Sequence, residues 1–280
     1  MLILAGLPIG DAADASANLK SIIEKVEFIA AEDSRKFSRL CQELGIRYSG
    51  KIISFFEGNE IERIDELTKL LIANKDVLVA TDAGMPGVSD PGYRLVRAAI
   101  ENNVKIKVLP GPSAVTTALL LSGLPTDRFC FEGFAPRTSA ARVNWFTELV
   151  EQPRTIIYFE APHRITESLQ DAITAFGADR QAVICREMSK QYEEVVRGSM
   201  NDLLQWSKSK EILGEITVVV SGFNPEERDV DQISIIESVL RYESSGMSRK
   251  EAMAEVAKSY GIAKRSVFDV MVAHKSGDKI

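Results

Sequence analysis

The chain has 280 residues, 45% of them hydrophobic and 26% charged, with a net charge of −6. That balance fits a folded protein of about two domains and excludes disordered, collagenous and coiled-coil readings. The longest apolar runs, such as Ala118 to Leu121 and Ile216 to Val220, fall far short of the roughly 20 residues that cross a bilayer, and three scattered cysteines with two histidines (His163 and His274) disfavour a disulfide framework, a zinc site or Ser-His-Asp chemistry.

No basic segment leads into a long apolar one, so no secretory signal is expected, and the cysteine usage fits a reducing cytoplasm.

The first 125 residues alternate strand and helix signals. Met1 to Ala5 is an apolar strand that runs into Gly6-Leu7-Pro8-Ile9-Gly10. Ser16 can cap a helix with Leu19, Ile22, Ile23 and Val26 at helical spacing. Phe28 to Ala31 is a short strand that ends at Glu32-Asp33-Ser34-Arg35, and a helix then runs to about Leu44 and stops at Gly45. Strands are expected at Ile52 to Phe56, Val77 to Ala80 and Ile106 to Leu109. Helices are expected over Ile61 to Leu71, from Tyr93 and from Ser113. Continuous apolar strands between amphipathic helices indicate a largely parallel sheet covered on both faces.

Gly123-Leu124-Pro125-Thr126 reads as a hinge. Beyond it, strands are expected near Phe129 to Phe134, Thr155 to Phe159, Ala182 to Arg186, Glu194 to Arg197 and Glu215 to Val220, with helices near 140–150, 164–176 and 200–207. Short links between the later strands favour antiparallel pairing. The expected organisation is α/β over 1–122, α/β over 126–222 and a small helical unit over 231–280. In that last unit Ser248 and Glu251 form a capping box, Ala252, Val256 and Tyr260 form a stripe, and Gly261 ends the helix. Residues 246–280 hold seven Lys and Arg against four acids, a surplus of three positive charges that leaves −9 on the rest. This basic unit reads either as a helix-turn-helix or as a mini-bundle that only packs.

Ligands of α/β sheets sit beyond the carboxyl ends of strands. Five loops here follow strands: 6–11, 32–35, 82–92, 111–114 and 160–164. None carries G-x-G-x-x-G or a P-loop, which disfavours nucleotide binding by those devices. The 82–92 loop holds three glycines, two prolines, Asp82 and Asp90, and its carboxylates could accept hydrogen bonds from a sugar or an amine; it reads as a ligand loop or a structural Ω-loop. Ser113 reads as a helix cap or a ligand contact. Glu32, Asp33 and Arg35 read as a surface salt-bridge cluster or a site, and Glu160, His163 and Arg164 as a capped helix start or a site, each by itself more often structural than catalytic; Arg186, Glu187 and Lys190, just after a strand, are equally ambiguous.

Taken in order, eleven segments carry a resemblance. They are Leu7-Pro8-Ile9-Gly10, Ala31-Glu32-Asp33-Ser34-Arg35, Asp82-Ala83-Gly84-x-Pro86, Ser89-Asp90-Pro91-Gly92-Tyr93 and Leu109-Pro110-Gly111-Pro112-Ser113-Ala114. After these come the segments 123–129, Phe131-Glu132-Gly133-Phe134, Phe159-Glu160-Ala161-Pro162-His163-Arg164, Arg186-Glu187, Glu193-Glu194 with Arg197-Gly198, and Gly214-Glu215-Ile216. Together they resemble the ribosomal RNA small subunit methyltransferase I family, a bacterial branch of the tetrapyrrole methylase superfamily, over about residues 1–222. The tail is similar to that family's helical C-terminal domain.

The resemblance implies a two-domain tetrapyrrole-methylase-like α/β fold with a small all-α appendage, usually a homodimer. It implies S-adenosylmethionine as methyl donor, no metal, and the 2′-hydroxyl of a cytidine in 16S rRNA of the 30S subunit as acceptor, with neither membrane nor DNA as a partner. By motif, Pro8, Asp90, Tyr93, Ser113 and Ala114 line the donor site from the first domain, joined by Asp82 and, from the second, Glu215. A protonated ribose hydroxyl is a poor nucleophile, so a base is needed, and Glu32, Asp33, Glu160 and Glu187 are the candidates. Arg35, Arg164, Arg186 and Lys190 are the candidates for holding RNA phosphate. Two departures from the family pattern are Leu7 and Ser34, each where threonine is usual; Leu7 is expected to remove a polar contact. The alternatives are a methylase of a precorrin-type tetrapyrrole and a noncatalytic regulator using the tail on DNA.

Overall fold

The computed structural model describes residues 1–224, 232–260, 262 and 264–276. The chain divides into two compact units, Met1–Ser221 and Gly222–Ile280.

The first sheet contains β1 (Leu2–Ala5), β2 (Phe28–Ala31), β3 (Lys51–Ser54), β4 (Val77–Ala80) and β5 (Ile106–Leu109). Their spatial order is β3-β2-β4-β1-β5 and every pairing is parallel. Parallel strands need crossovers, which α1 (Ala17–Ile23), α2 (Ser34–Glu43), α3 (Glu60–Ile72) and α4 (Tyr93–Glu101) supply. Successive side chains of one strand point to opposite faces. Ile3, Ala5, Ile29 and Leu78 pack with Leu19, Ile23, Phe37 and Cys41 of α1 and α2. Leu2, Leu4, Ala30, Val77 and Val79 pack on the other face with Leu67, Leu71, Leu95 and Ala99 of α3 and α4. This two-sided burial explains the unbroken apolar runs.

Local chemistry sets the helix starts. The Ser16 hydroxyl accepts from the Leu19 N–H, and the Asp33 carboxylate accepts from the Arg35 and Lys36 N–H groups. Gly45, with φ +63°, follows α2 as expected of a left-handed terminator. The strand expected at Ile52 to Phe56 begins and ends earlier, because pairing with β2 stops at Ala31↔Ser54.

The second sheet runs β6-β7-β10-β8-β9, from β6 (Phe129–Phe134), β7 (Thr155–Glu160), β8 (Gln181–Arg186), β9 (Glu194–Ser199) and β10 (Ile216–Val220). Only β6 and β7 pair in parallel; β10 is antiparallel to both β7 and β8, and β8 to β9. One face packs with α6 (Ser139–Leu149), α7 (Ile165–Phe176) and α8 (Met200–Lys208), through residues such as Phe146, Leu169 and Leu203. The other face is covered by α5 (Ala114–Ser122), the helix that follows β5. Val115, Ala118 and Leu119 of α5 share a core with Ile157, Val183 and Val219. A helix delivered by the first sheet thus seals the second.

The C-terminal unit holds α9 (Gln232–Ser244), α10 (Arg249–Tyr260) and α11 (Lys264–Ser276) around one apolar core that includes Ile235, Val239, Ala252, Val256, Val267 and Met271. The Ser248–Glu251 capping box forms, each residue's side chain accepting from the other's backbone N–H. Gly261, expected to stop α10, lies outside the described residues. No helix among the described residues is long and apolar enough to cross a membrane.

Candidate active site

A cleft of about 420 Å³ opens where the two sheets' tips meet. The parallel pairing brings the carboxyl ends of β1, β2, β4 and β5 to one edge of the first sheet, and with them the loops that carry Ile9, Glu32, Asp82 to Asp90, and Ser113. In the second sheet, antiparallel pairing sets Ile216 at the start of β10 opposite both Glu160 and Arg186 at the ends of β7 and β8. Glu160, Met188 and Glu215, distant in sequence, therefore reach the same cleft.

Two close approaches leave room only for glycine. A Cβ on Gly111 would stand 2.7 Å from the Gly6 carbonyl oxygen, so the loops after β1 and β5 lie back to back. One on Gly10 would stand 2.5 Å from Ser189, where the first sheet's loop meets the second sheet's. Gly84, with φ +68°, exchanges backbone hydrogen bonds with Leu7 at 2.8 and 3.1 Å. The Leu7 side chain is 1% exposed and belongs to the core of the first sheet. The expectation that leucine here removes a polar contact is therefore corrected: Leu7 packs in that core and does not line the cleft.

Of the residues singled out by sequence, Glu32, Asp82, Asp90, Ser113, Ala114, Glu160 and Glu215 line the cleft. Ser113 occupies the cap position of α5, yet its side chain makes no capping hydrogen bond, which leaves the hydroxyl to the cleft. Pro8 is buried beside the cleft-lining Ile9, and Tyr93, 67% exposed, begins α4; neither lines the cleft. Asp33 caps α2 and pairs with Arg35, whose side chain is 88% exposed. That partnership holds the Asp33 carboxyl down at about 2.

Arg164, Arg186, Glu187 and Lys190 do not line the cleft themselves but hold residues that do or that lie near it. Glu187, in the left-handed region with φ +51°, accepts from the Glu215 N–H at 2.9 Å, and Lys190 bridges Glu187 and Glu215 at 2.9 and 3.0 Å. Burial works to raise the Glu187 carboxyl, but these donors outweigh it and leave the group below its usual range. Arg186 pairs with Glu194 and donates to the Leu213 carbonyl. Arg164 pairs with the buried Glu160 at 2.6 Å.

Carboxylates dominate the cleft. The Glu32 carboxylate accepts from the Asp82 N–H at 3.0 Å, and Asp82 in turn accepts from the Asp33 N–H and the Lys36 ammonium. Burial raises the Glu32 carboxyl. Burial also pushes Asp90 up to about 7, with repulsion from Glu32, Asp82 and Glu215 adding to it. Glu160 Oε2 is buried without a hydrogen-bond partner among the described residues. Lys36, the sole cation among the described residues lining the cleft, is tied to Asp82, while Ile9, Val115, Met188 and Ile216 supply apolar walls. A ring of underneutralised acids with apolar walls suits a ligand that is cationic at one part and aromatic or apolar at another. That is the character of a sulfonium donor bearing an amine and a purine, so the residues present fit the expected cofactor.

Sequence reasoning missed Lys36, Met188 and the aromatic pair Phe134 and Phe159. Lys36 carried a signal, lying on the first turn of the α2 helix whose cap is Asp33. The two phenylalanines lie in the segments Phe131-Glu132-Gly133-Phe134 and Phe159-Glu160-Ala161-Pro162-His163-Arg164 but read there only as strand residues.

The family model described as tetrapyrrole (corrin/porphyrin) methylases matches residues 1–204. The chain belongs to the tetrapyrrole methylase family. The methylase is 44% identical over 272 residues to the ribosomal RNA small subunit methyltransferase I of Mycobacterium tuberculosis (strain ATCC 25618 / H37Rv), a match that covers 97% of this chain and 94% of that one. It is 33% identical to the protein of the same name from Escherichia coli O157:H7, over 95% and 93% of the two chains. Within the family, this methylase therefore belongs to the ribosomal RNA small subunit methyltransferase I branch. Its fold matches the uroporphyrin-III-C-methyltransferase of Thermus thermophilus with a TM-score of 0.55 at 17% identity, covering 78% of this chain and 93% of that one. The methyltransferase CobJ matches with a TM-score of 0.59 at 15% identity, covering 79% and 93%. At such identities these two likenesses speak for the fold alone.

Proposed function

We propose that this methylase transfers the methyl group of S-adenosylmethionine to the 2′-hydroxyl of a cytidine in 16S rRNA, acting in the cytoplasm on the small ribosomal subunit as a homodimer with α/β domains over 1–122 and 126–222. The observation that carries the reading is the likeness, along nearly the whole chain, to relatives named for ribosomal RNA of the small subunit. The helical tail is part of that match, whereas the neighbour named for uroporphyrin-III stands at 17% identity and matches in fold alone. A precorrin-type acceptor is correspondingly less supported.

The donor, when bound, supplies a methyl group on a positively charged sulfur, and the protein's task is alignment and proton removal. Asp82, Asp90 and Glu215 hold positive charge at the tips of β4 and β10, with Ser113 and Ala114 leaving space at the start of α5. With the donor bound, methyl transfer to the ribose oxygen would require a residue of this chain to take the hydroxyl proton. Of the four base candidates, Glu32 fits best: it lines the cleft, is held by the Asp82 N–H, and has a raised proton affinity. Asp33 and Glu187 are held below the usual range by their partners, which makes both poor bases. Glu160 is engaged by Arg164, and this pair is better suited to shaping the wall. Arg35, exposed at the α2 end of the cleft, is the most accessible of the four phosphate-binding candidates.

The test is direct. Small subunits from cells lacking this protein are incubated with it and labelled donor, and the 16S rRNA is mapped by mass spectrometry. One new 2′-O-methylcytidine is expected. Label on a base, or transfer to a precorrin instead of RNA, would overturn the reading.

A further inference from the structure

An aromatic lip borders the cleft and is unexplained by donor binding. Phe134 lines the cleft and is 57% exposed, large for a phenylalanine in a strand. A β-bulge puts it there. Phe131 pairs with Ile157 and Phe134 with Phe159, so β6 spends three steps where β7 spends two. Gly133, with φ +73°, absorbs the extra residue. The insertion keeps Phe134 on the same face of the sheet as Phe131, Ile157 and Phe159, the face that α5 covers.

Past the start of α5 that cover ends, because Ser113, Ala114 and Val115 give way to the cleft. There the Phe134 ring meets Phe159 edge to face at 5.3 Å, and Phe159 meets Phe131 likewise at 4.8 Å. The ring is thus held at its edge and braced by a row of aromatics. Backbone anchors it further, since the following Ala135 N–H donates to the Phe159 carbonyl at 3.1 Å. Val88 of the 82–92 loop is also exposed and lines the cleft, and Ser89 Oγ lies near Gly133.

An enzyme acting on a nucleotide inside folded RNA needs that nucleotide unstacked, and an exposed, rigid aromatic ring replaces the lost stacking. We propose that Phe134 is the platform on which the unpaired base of the acceptor nucleotide stacks, holding its ribose in the cleft that Glu32 and Asp90 line. This rests on the RNA-methylating reading above and names its acceptor subsite. Stacking tolerates any base, so Phe134 supplies hold and orientation, not a choice of cytosine.

The test uses the full chain with Phe134→Ala, Phe134→Leu and Phe134→Trp. Calorimetry gives S-adenosylmethionine affinity, which also reports that each variant is folded, and kcat/KM is measured on small subunits lacking the methyl group. The alanine and leucine variants are expected to lose roughly tenfold or more in kcat/KM, since one stacked base contributes about that much or more. The tryptophan variant should stay close to wild type, and donor affinity should not change in any of the three. Full activity in the leucine variant would reduce Phe134 to apolar packing and overturn the proposal. A fall in donor affinity that parallels the fall in kcat/KM would assign the ring to the donor and overturn it equally. Should the wild-type chain bind donor yet methylate no RNA, the RNA reading itself fails and takes this subsite with it.

Discussion

Asp90 sits among Glu32, Asp82 and Glu215, and its titration near 7 ties the cleft to solution pH. An aspartate whose folded pKa stands above its ordinary value of 3.8 favours the folded state at low pH, and that contribution fades as pH rises toward 7. Asp90→Asn removes the fade, so thermal melts of the donor-free protein should show the variant gaining on wild type between pH 5 and about 8. A cationic donor reverses the balance by favouring the ionised carboxylate. Donor binding near pH 6.5 should therefore release protons, visible as a dependence of the calorimetric heat on the buffer's ionisation enthalpy, and Asp90→Asn should both weaken binding and abolish most of that dependence. Buffer-independent heats in the wild type would remove Asp90 from the donor's surroundings.

Glu32 is the second residue whose role can be isolated. Its carboxylate accepts from the Asp82 N–H, an arrangement that glutamine's carbonyl oxygen can copy. Glu32→Gln should leave donor affinity nearly intact while lowering kcat by about 10²-fold or more, the usual range for loss of a general base. An unchanged kcat would transfer the role to Glu160, the other base candidate that lines the cleft. Glu32 and Asp33 were both legible as base candidates in the chain. What separated Glu32 from Asp33, its neighbour, was the direction each side chain takes: Asp33 turns back to cap α2, and Glu32 faces the cleft.

At the scale of elements, the site depends on loops from β1 and β5 that share almost no space. Gly111→Ala would place a methyl group 2.7–2.8 Å from Gly6 backbone atoms, and neither loop can yield without moving Ser113 or Ile9. A loss of about 1–3 kcal/mol is expected, as for overpacking elsewhere, together with weaker donor binding. Urea denaturation and calorimetry on the same preparation check both, and an unperturbed variant would show that these loops are looser than their packing suggests. Element type and most boundaries were readable because apolar runs, caps and glycine stops act within a few residues. The bulge in β6 was not readable, since Phe131-Glu132-Gly133-Phe134 differs from a regular strand only through its pairing with β7.

For the whole molecule, the division at Ser221 has a measurable consequence. The unit 222–280 has its own core, and residues 246–280 carry a positive surplus on an otherwise acidic chain. A chain ending at Ser221 should still bind S-adenosylmethionine with near wild-type affinity, yet bind the small subunit more weakly. The intact chain's subunit affinity should fall steeply with salt and the truncated chain's less steeply, because fewer phosphate charges are neutralised. Filter binding across a salt series measures this, and equal slopes would leave the tail no part in RNA contact.

The chain by itself determined its α/β class, the alternation of its elements, the loops that carry chemistry and the family to which it belongs. Each of these is written in short-range terms: period, cap, turn residue and motif. Tertiary structure alone decided which carboxylates share one cleft, since antiparallel pairing of β10 between β7 and β8 is what brings Glu215 to Glu160. It also decided that Leu7 faces the core, that Lys36 answers Asp82 and that Phe134 stays uncovered. These are facts of distance between segments far apart in the chain, and charge, desolvation and exposure follow distance in space.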